Sequence, residues 1–301
     1  MLEVLLRAGC FIAMVVLGYV LKLLGVFKKE DFSVLSRVVM KITLPAAIVV
    51  SMSGYTIDLS MLTIVLIGMA GCLGCIGVAF LLNLRRGKER QAFAITNVSG
   101  YNIGCFTMPF AQSFLGPVGV VTTSLFDIGN AVFCLGGGYG IAASVKEGKG
   151  FDLKRIAKAL LTSVPFVTYI IMIAFNLAKV RLPGAILTFA ELVAGANVLV
   201  SMVMLGVGFE LHIRRSQLGD VIRIVLLRYG VAAVLSAACY FLLPFAADIR
   251  KALVILLFSP IGSTAPVFTD ELGGDVALSS TINSICIIIS IVFIVAFLSL
   301  I

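Results

Sequence analysis

Asp127 and Asn130 stand one helical turn apart inside an apolar run, GVVTTSLFDIGNAVFCLGG, at residues 119–137. An ionisable group placed there is expensive, so it defaults to a functional reading, with proton or substrate-linked work as one role. Its other role is structural, a protonated or hydrogen-bonded acid that locks its helix against a neighbour. Just upstream, YNIGCFTMP at 101–109 collects Asn102, Gly104, Thr107 and Pro109. Glycine weakens a helix, and proline lacks the N–H that an unbroken one needs. Broken backbone survives in lipid only where it is buried in protein or lines a polar cavity. Freed N–H groups at the start of a half-helix near Pro109, beside an amide and a hydroxyl, suit a small anion. Lys41, four residues after Arg37 and just before Thr43-Leu44-Pro45, could neutralise such an anion or pair with Asp127.

The break has a counterpart. Thr107, Pro109, Leu115 and Gly116 recur as Thr264, Pro266, Leu272 and Gly273, and Thr122-Thr123-Ser124 as Ser279-Ser280-Thr281, all 157 residues on. One shared offset predicts an internal duplication, with a second half-helix starting near Pro266. The same offset pairs Asn102 with Ser259 and Phe106 with Ser263. Ser259, Ser263 and Thr264 therefore join the candidate ligand contacts, the alternative being that they only satisfy broken backbone.

These residues must be positioned by membrane-spanning helices. The 301-residue chain is 60% hydrophobic and 13% charged, which does not fit a soluble core. Apolar segments are predicted near 4–24, 32–52, 60–82, 91–115, 117–145, 158–178, 184–208, 218–243, 249–271 and 275–300. The connections after the odd-numbered segments carry fifteen Lys and Arg against five on the other side, so the odd loops are predicted to be cytoplasmic and both termini outside. Five spans per half then make residues 1–157 and 158–301 inverted repeats, with segments 4 and 9 interrupted in corresponding places. That pattern points to a secondary transporter whose site lies at the interruptions. The expected fold class is all-α integral membrane, with ten transmembrane helices in two inverted five-helix repeats.

Other features carry less. The Cys72-x-x-Cys75 pair lies on an apolar helix, has no second pair to complete a metal site, and shares the chain with one histidine, His212. Gly136-Gly137-Gly138 has no lysine in the place a phosphate loop requires and reads as a close-packing or flexible stretch. Arg228 is expected to snorkel, Glu210–Arg214 to form an interfacial helix pair, and Lys146–Lys158 to be a loop with an interfacial turn. No catalytic constellation is visible, so an enzyme is not expected. No cofactor is expected either, beyond a coupling H+ or Na+.

At Asn102, Gly104, Pro109, Gly116 and Asp127-Ile128-Gly129-Asn130, with Leu44-Pro45-Ala46 and Pro266…Leu272-Gly273, the chain resembles the auxin efflux carrier family in its short bacterial form, whose members include malonate and malate permeases. The resemblance implies a fold similar to sodium/proton antiporters. Helices 3–5 and 8–10 would form a scaffold carrying crossed helices 4 and 9, with a panel of helices 1, 2, 6 and 7, elevator-type alternating access and a homodimer. Plant members carry Asn-Pro-Asn at the ninth-helix break and a long central loop. Here Ser259-Pro260-Ile261-Gly262 stands near the break and the loop is missing, which favours a smaller carboxylate than auxin. The expected function is transport of a small organic anion across the cell membrane. The alternatives are a cation/proton exchanger using Asp127 and a membrane sensor or enzyme.

Overall fold

The computed structural model describes residues 2–148, 151–211 and 214–300, so His212 and Lys149 lie outside it. Long apolar sequence stretches form long helices: α1 (Leu2–Leu23), α2 (Asp31–Ser53, with a π-helical turn over Val39–Thr43) and α3 (Thr63–Leu82). The fourth apolar segment is interrupted. Helix α4 (Lys88–Val98) ends, residues 100–102 leave helical geometry, and α5 resumes as a π-turn (Ile103–Thr107) running into Met108–Phe114, with Pro109 in the first turn. Proline is tolerated there because its missing donor would be unpaired in any case.

Helix α6 (Gly116–Glu147) contains a third π-turn at Phe133–Gly137. The stretch expected to be a loop is partly helical. Asp152 caps α7 (Leu153–Thr162) by accepting from the Arg155 N–H at 3.0 Å, and the chain then bends by 75° into α8 (Val164–Leu177). After α9 (Gly184–Gly195), α10 (Asn197–Val207) and α11 (Leu218–Leu242), the ninth segment is interrupted like the fourth. Helices α12 (Ala247–Leu257) and α13 (Ala265–Glu271) are separated by the non-helical residues 258–264, and α14 (Val276–Leu300) follows.

Among the described residues the protein is all-helical apart from one isolated bridge, as an integral membrane protein requires. Seven helices are long and apolar enough to cross a membrane, or eight if α7 and α8 form one bent span. The interrupted segments fall outside that reckoning because none of their halves reaches 18 residues.

Packing divides the helices into two groups. Helices α1, α2 and α8–α10 pack on one another, while α3–α6 and α11–α14 form the second group. Within the second group, α3 and α6 touch backbone to backbone. A Cβ on Gly129 would lie 2.0 Å from the Val65 carbonyl oxygen, and one on Gly68 would lie 2.3 Å from that of Phe126. Only glycine permits that approach.

The connections after the odd segments gather at one end. Lys29 pairs with Glu210 at 2.6 Å, Arg86 with Asp220 at 3.1 Å and Arg155 with Glu271 at 2.5 Å, while Lys146 donates to the Leu272 carbonyl. The expected Glu210–Arg214 helix pair does not form as such. Helix α10 ends at Val207, so the two residues share no helical face, and Glu210 takes Lys29 instead. At the opposite end Asn176 accepts from the Ile57 N–H and donates to the Met52 and Tyr55 carbonyls, and Arg7 reaches the Ser113 carbonyl.

Candidate binding site at the crossing of two interrupted helices

The two interruptions meet. The Asn102 N–H donates to the Pro260 carbonyl at 2.9 Å and the Gly262 N–H to the Gly100 carbonyl at 3.0 Å, forming an antiparallel bridge between Tyr101 and Ile261. Backbone freed by one break is therefore satisfied by the other, as a low-dielectric surrounding demands. The bridge pairs residues 160 apart, whereas the half-helices Met108–Phe114 and Ala265–Glu271 keep the offset of 157. The first half thus has three more residues between bridge and half-helix, taken up in its π-turn. Counted from the bridge, the counterpart of Asn102 is Gly262 rather than Ser259, while across the bridge Asn102 faces Pro260, so the sequence pairing at that position slips.

Three further devices hold the crossing. Asn130 donates to the Tyr101 carbonyl at 2.9 Å and accepts from the Tyr101 N–H at 2.8 Å, gripping the break from α6. Thr107 and Ser259 share a hydrogen bond of 2.5 Å between fully buried hydroxyls. Thr264 donates to the Cys134 carbonyl at 2.9 Å.

The fourth device is Arg228, which the sequence reading sent to the membrane surface. It is 0% exposed. Its guanidinium donates to the Val98 carbonyl at 3.0 Å, where α4 ends, and to those of Ser259 and Pro260 at 2.9 and 3.3 Å, just past α12; its face lies 3.8 Å from the Tyr101 ring centroid. Two helices end here with unpaired carbonyls and the negative ends of their dipoles, and one planar cation answers both. Its depth, ten residues into α11, is the signal that an intramembrane charge should have been given a partner.

A small cavity of about 70 Å3 lies beside the bridge. Asn102, Gly104, Asp127, Asn130, Ser263 and Thr264, all expected at the site, line it. All three π-turns contribute to the wall, through Met40, through Ile103 to Cys105, and through Cys134 and Leu135. Such turns recur at functional sites because they turn side chains and carbonyls away from the helical register. The Nδ2 of Asn102 is buried in that wall with no hydrogen-bond partner. An orphaned buried amide costs roughly 1–3 kcal/mol, so its retention calls for a reason.

Asp127 faces the same space. Its Oδ1 accepts from Asn130 Nδ2 at 2.9 Å and its Oδ2 from the Tyr169 hydroxyl at 3.0 Å, so α6 and α8 both position it. Tyr169 carried no sequence signal, since a lone tyrosine on an apolar helix reads as core. The remaining expected residues lie elsewhere. Thr107, Ser259 and Pro109 are buried behind the wall. Pro266 lines a neighbouring cavity of about 390 Å3, which shares Ser263 and contains Lys29, Glu210 and Asp270 from the positively charged end. Lys41 is exposed and not part of the lining; the hydrogen bonds of Asp127 go to Asn130 and Tyr169 rather than to a lysine. The cysteine pair sits close by, with Cys72 Sγ 3.5 Å from Asn130 Oδ1 and Cys75 Sγ 3.8 Å from the Tyr101 hydroxyl. No group of three or more metal-ligating side chains occurs among the described residues.

Comparison with known proteins points the same way as the geometry. A family model described as membrane transport protein matches residues 10–154. The chain is 27% identical over 289 residues to a protein named uncharacterized transporter from Methanothermobacter thermautotrophicus, covering 93% of each. It is 27% identical over 208 residues to another of that name from Methanocaldococcus jannaschii, covering 65% of this chain and 66% of that one.

Proposed function

We propose that this chain, whose residues 10–154 match the membrane transport protein family model, is a secondary active or facilitative carrier of a small organic anion, a mono- or dicarboxylate of malonate or malate size. The observation that carries this reading is Asn102 Nδ2, an unpaired donor in the wall of a cavity built where two interrupted helices cross. A carboxylate oxygen placed there would satisfy that amide, with the Ser263 and Thr264 hydroxyls within the same lining. The small volume favours a compact ligand over a bicyclic one. The buried cation Arg228, one aromatic ring behind the bridge, adds a fixed positive potential that favours an anion.

Asp127 is the group to couple transport to protons. With its carboxyl neutral, the site around Arg228 admits a negative guest; with it ionised, the two negative charges repel. Its lining position also favours a second reading, cation/proton exchange. Against that, both carboxylate oxygens already accept hydrogen bonds from Asn130 and Tyr169.

The ten-span arrangement, with interrupted spans α4–α5 and α12–α13, supplies the mechanism. Helices α3–α6 and α11–α14 act as the moving scaffold, and α1, α2 and α8–α10 as the panel, in elevator-type exchange. Gathering of the odd loops at one end, where positive charge is concentrated, supports a cytoplasmic placement of that end. The panel exposes Phe189 and Leu192 on α9, a surface on which a homodimer can form.

Purified protein in liposomes should take up labelled malonate or malate saturably, and Asn102→Ala should lower uptake about tenfold, the worth of one hydrogen bond to a charged group. Absence of saturable uptake, or uptake unaltered in the variant, defeats the proposal. Sodium-driven proton flux with no anion uptake would establish the exchanger instead.

A further inference from the structure

On the exposed side of α3 and α11, an open groove of about 730 Å3 is walled by Val78, Leu82, Ile222, Leu226, Val231 and Val234. Arg223 sits at one end of it and also lines a second cavity, of about 270 Å3, at the positively charged end of the molecule. Arg86, Arg90 and Lys146 join Arg223 in that second cavity, with Glu89, Asp220 and Asp275 as the acids. Most of these charges are spoken for. Arg86 pairs with Asp220, Lys146 donates to the Leu272 carbonyl, and Asp275 accepts from Gln217 and the Leu278 N–H. Among the described residues, Arg90 and Arg223 have no hydrogen-bond or ion-pair partner, and Glu89 is the one acid left over.

We infer that this paired feature is a binding site for an anionic phospholipid. Two unpaired guanidiniums hold the phosphodiester in the basic cavity, and one acyl chain descends the apolar groove. Charge and polarity change in the right order along one continuous surface, with Arg223 at the junction. Dimensions agree. From Gly219 to Leu235, α11 runs roughly 24 Å at 1.5 Å per residue, enough to pass one leaflet, roughly 15 Å of hydrocarbon. Guanidinium matches the fork of a phosphate oxygen pair, and basic pockets between helices at the cytoplasmic side recognise anionic headgroups. The groove belongs to the helix group proposed to move, so the lipid would travel with it.

The test titrates delipidated full-length protein in detergent with phosphatidylglycerol, phosphatidylcholine and inorganic phosphate, reading retained lipid by native mass spectrometry and stability by thermal shift. Phosphatidylglycerol should bind about tenfold more tightly than phosphatidylcholine, as expected for charge-assisted bonds to one headgroup. Arg223→Gln should erase that preference. Gly230→Leu should weaken both lipids, because a Cβ at Gly230 meets no atom within 4 Å and the side chain fills the groove without displacing backbone. Equal binding of the two lipids overturns the proposal, as does phosphatidylglycerol binding untouched by both variants. Inorganic phosphate matching phosphatidylglycerol replaces it with a free-anion site. A Gly230→Leu variant that turns a dimer into a monomer, with lipid binding intact, assigns the groove to a second copy.

Discussion

Asp127, Asn130 and Tyr169 show how single residues divide labour at the crossing. Asn130 uses its amide on the Tyr101 main chain and on Asp127 at once, so Asn130→Ala should loosen the break and free the carboxyl together. Asp127→Asn keeps the shape and removes the titration. In liposomes the wild type is expected to take up anion faster as the outside is acidified, and Asp127→Asn to show a flat pH profile between pH 5 and 8. The other titratable side chains around that carboxyl are Tyr101, Tyr169, Cys72, Cys105 and Cys134, so a profile that keeps its slope in Asp127→Asn would place the proton on another group. Arg228→Ala leaves the Val98, Ser259 and Pro260 carbonyls unpaired in the interior. It should cost on the order of 3 kcal/mol, read as a lowered thermal midpoint that Lys restores only in part because it lacks the fork. Much of this chemistry was legible in the sequence. Asp127, Asn102 and Asn130 announced themselves as polar groups in apolar runs. Tyr169 did not, because its value depends on α8 approaching α6 from 42 residues away.

At the scale of elements, the interruptions were legible and their register was not. Gly104, Pro109 and Pro266 are local signals, readable without a fold. The three-residue slip at the bridge depends on a π-turn, which leaves no mark in periodicity. Gly116 and Gly273, by contrast, keep both the sequence offset and the conformation, with φ of 62° and 64° after the two half-helices. Each occupies the left-handed region, so Gly116→Ala and Gly273→Ala should each cost about 1–2 kcal/mol, measurable by thermal denaturation in detergent. No change in either variant would mean that the turns relax. The 75° bend at Ser163 escaped the sequence reading, which drew one span across it. Ser163 adopts extended geometry and caps α8, and that cap competes with helix continuation for physical reasons that become visible only with coordinates.

Whole-molecule behaviour turns on the seam between the two helix groups. At the end away from the positive loops, Thr43 donates to Asn197 at 2.8 Å and Asn197 to Gln112 at 2.9 Å, while Phe11 packs on Phe110 and Phe114. An elevator must break the Asn197–Gln112 bond and the Phe11 contacts, whereas the Thr43–Asn197 bond lies within one group and travels with it. In a background lacking the seven native cysteines, Gln112→Cys with Asn197→Cys should stop uptake on oxidation and recover on reduction. Uptake indifferent to the crosslink would mean that the groups do not slide here. Arg228 has one last consequence for the molecule as a lineage. It grasps main-chain oxygens, which every amino acid supplies alike whatever its side chain. On the proposed site, mutation at the crossing can therefore exchange one set of ligand contacts for another while the joint itself stays fastened, leaving cargo preference free to drift among descendants.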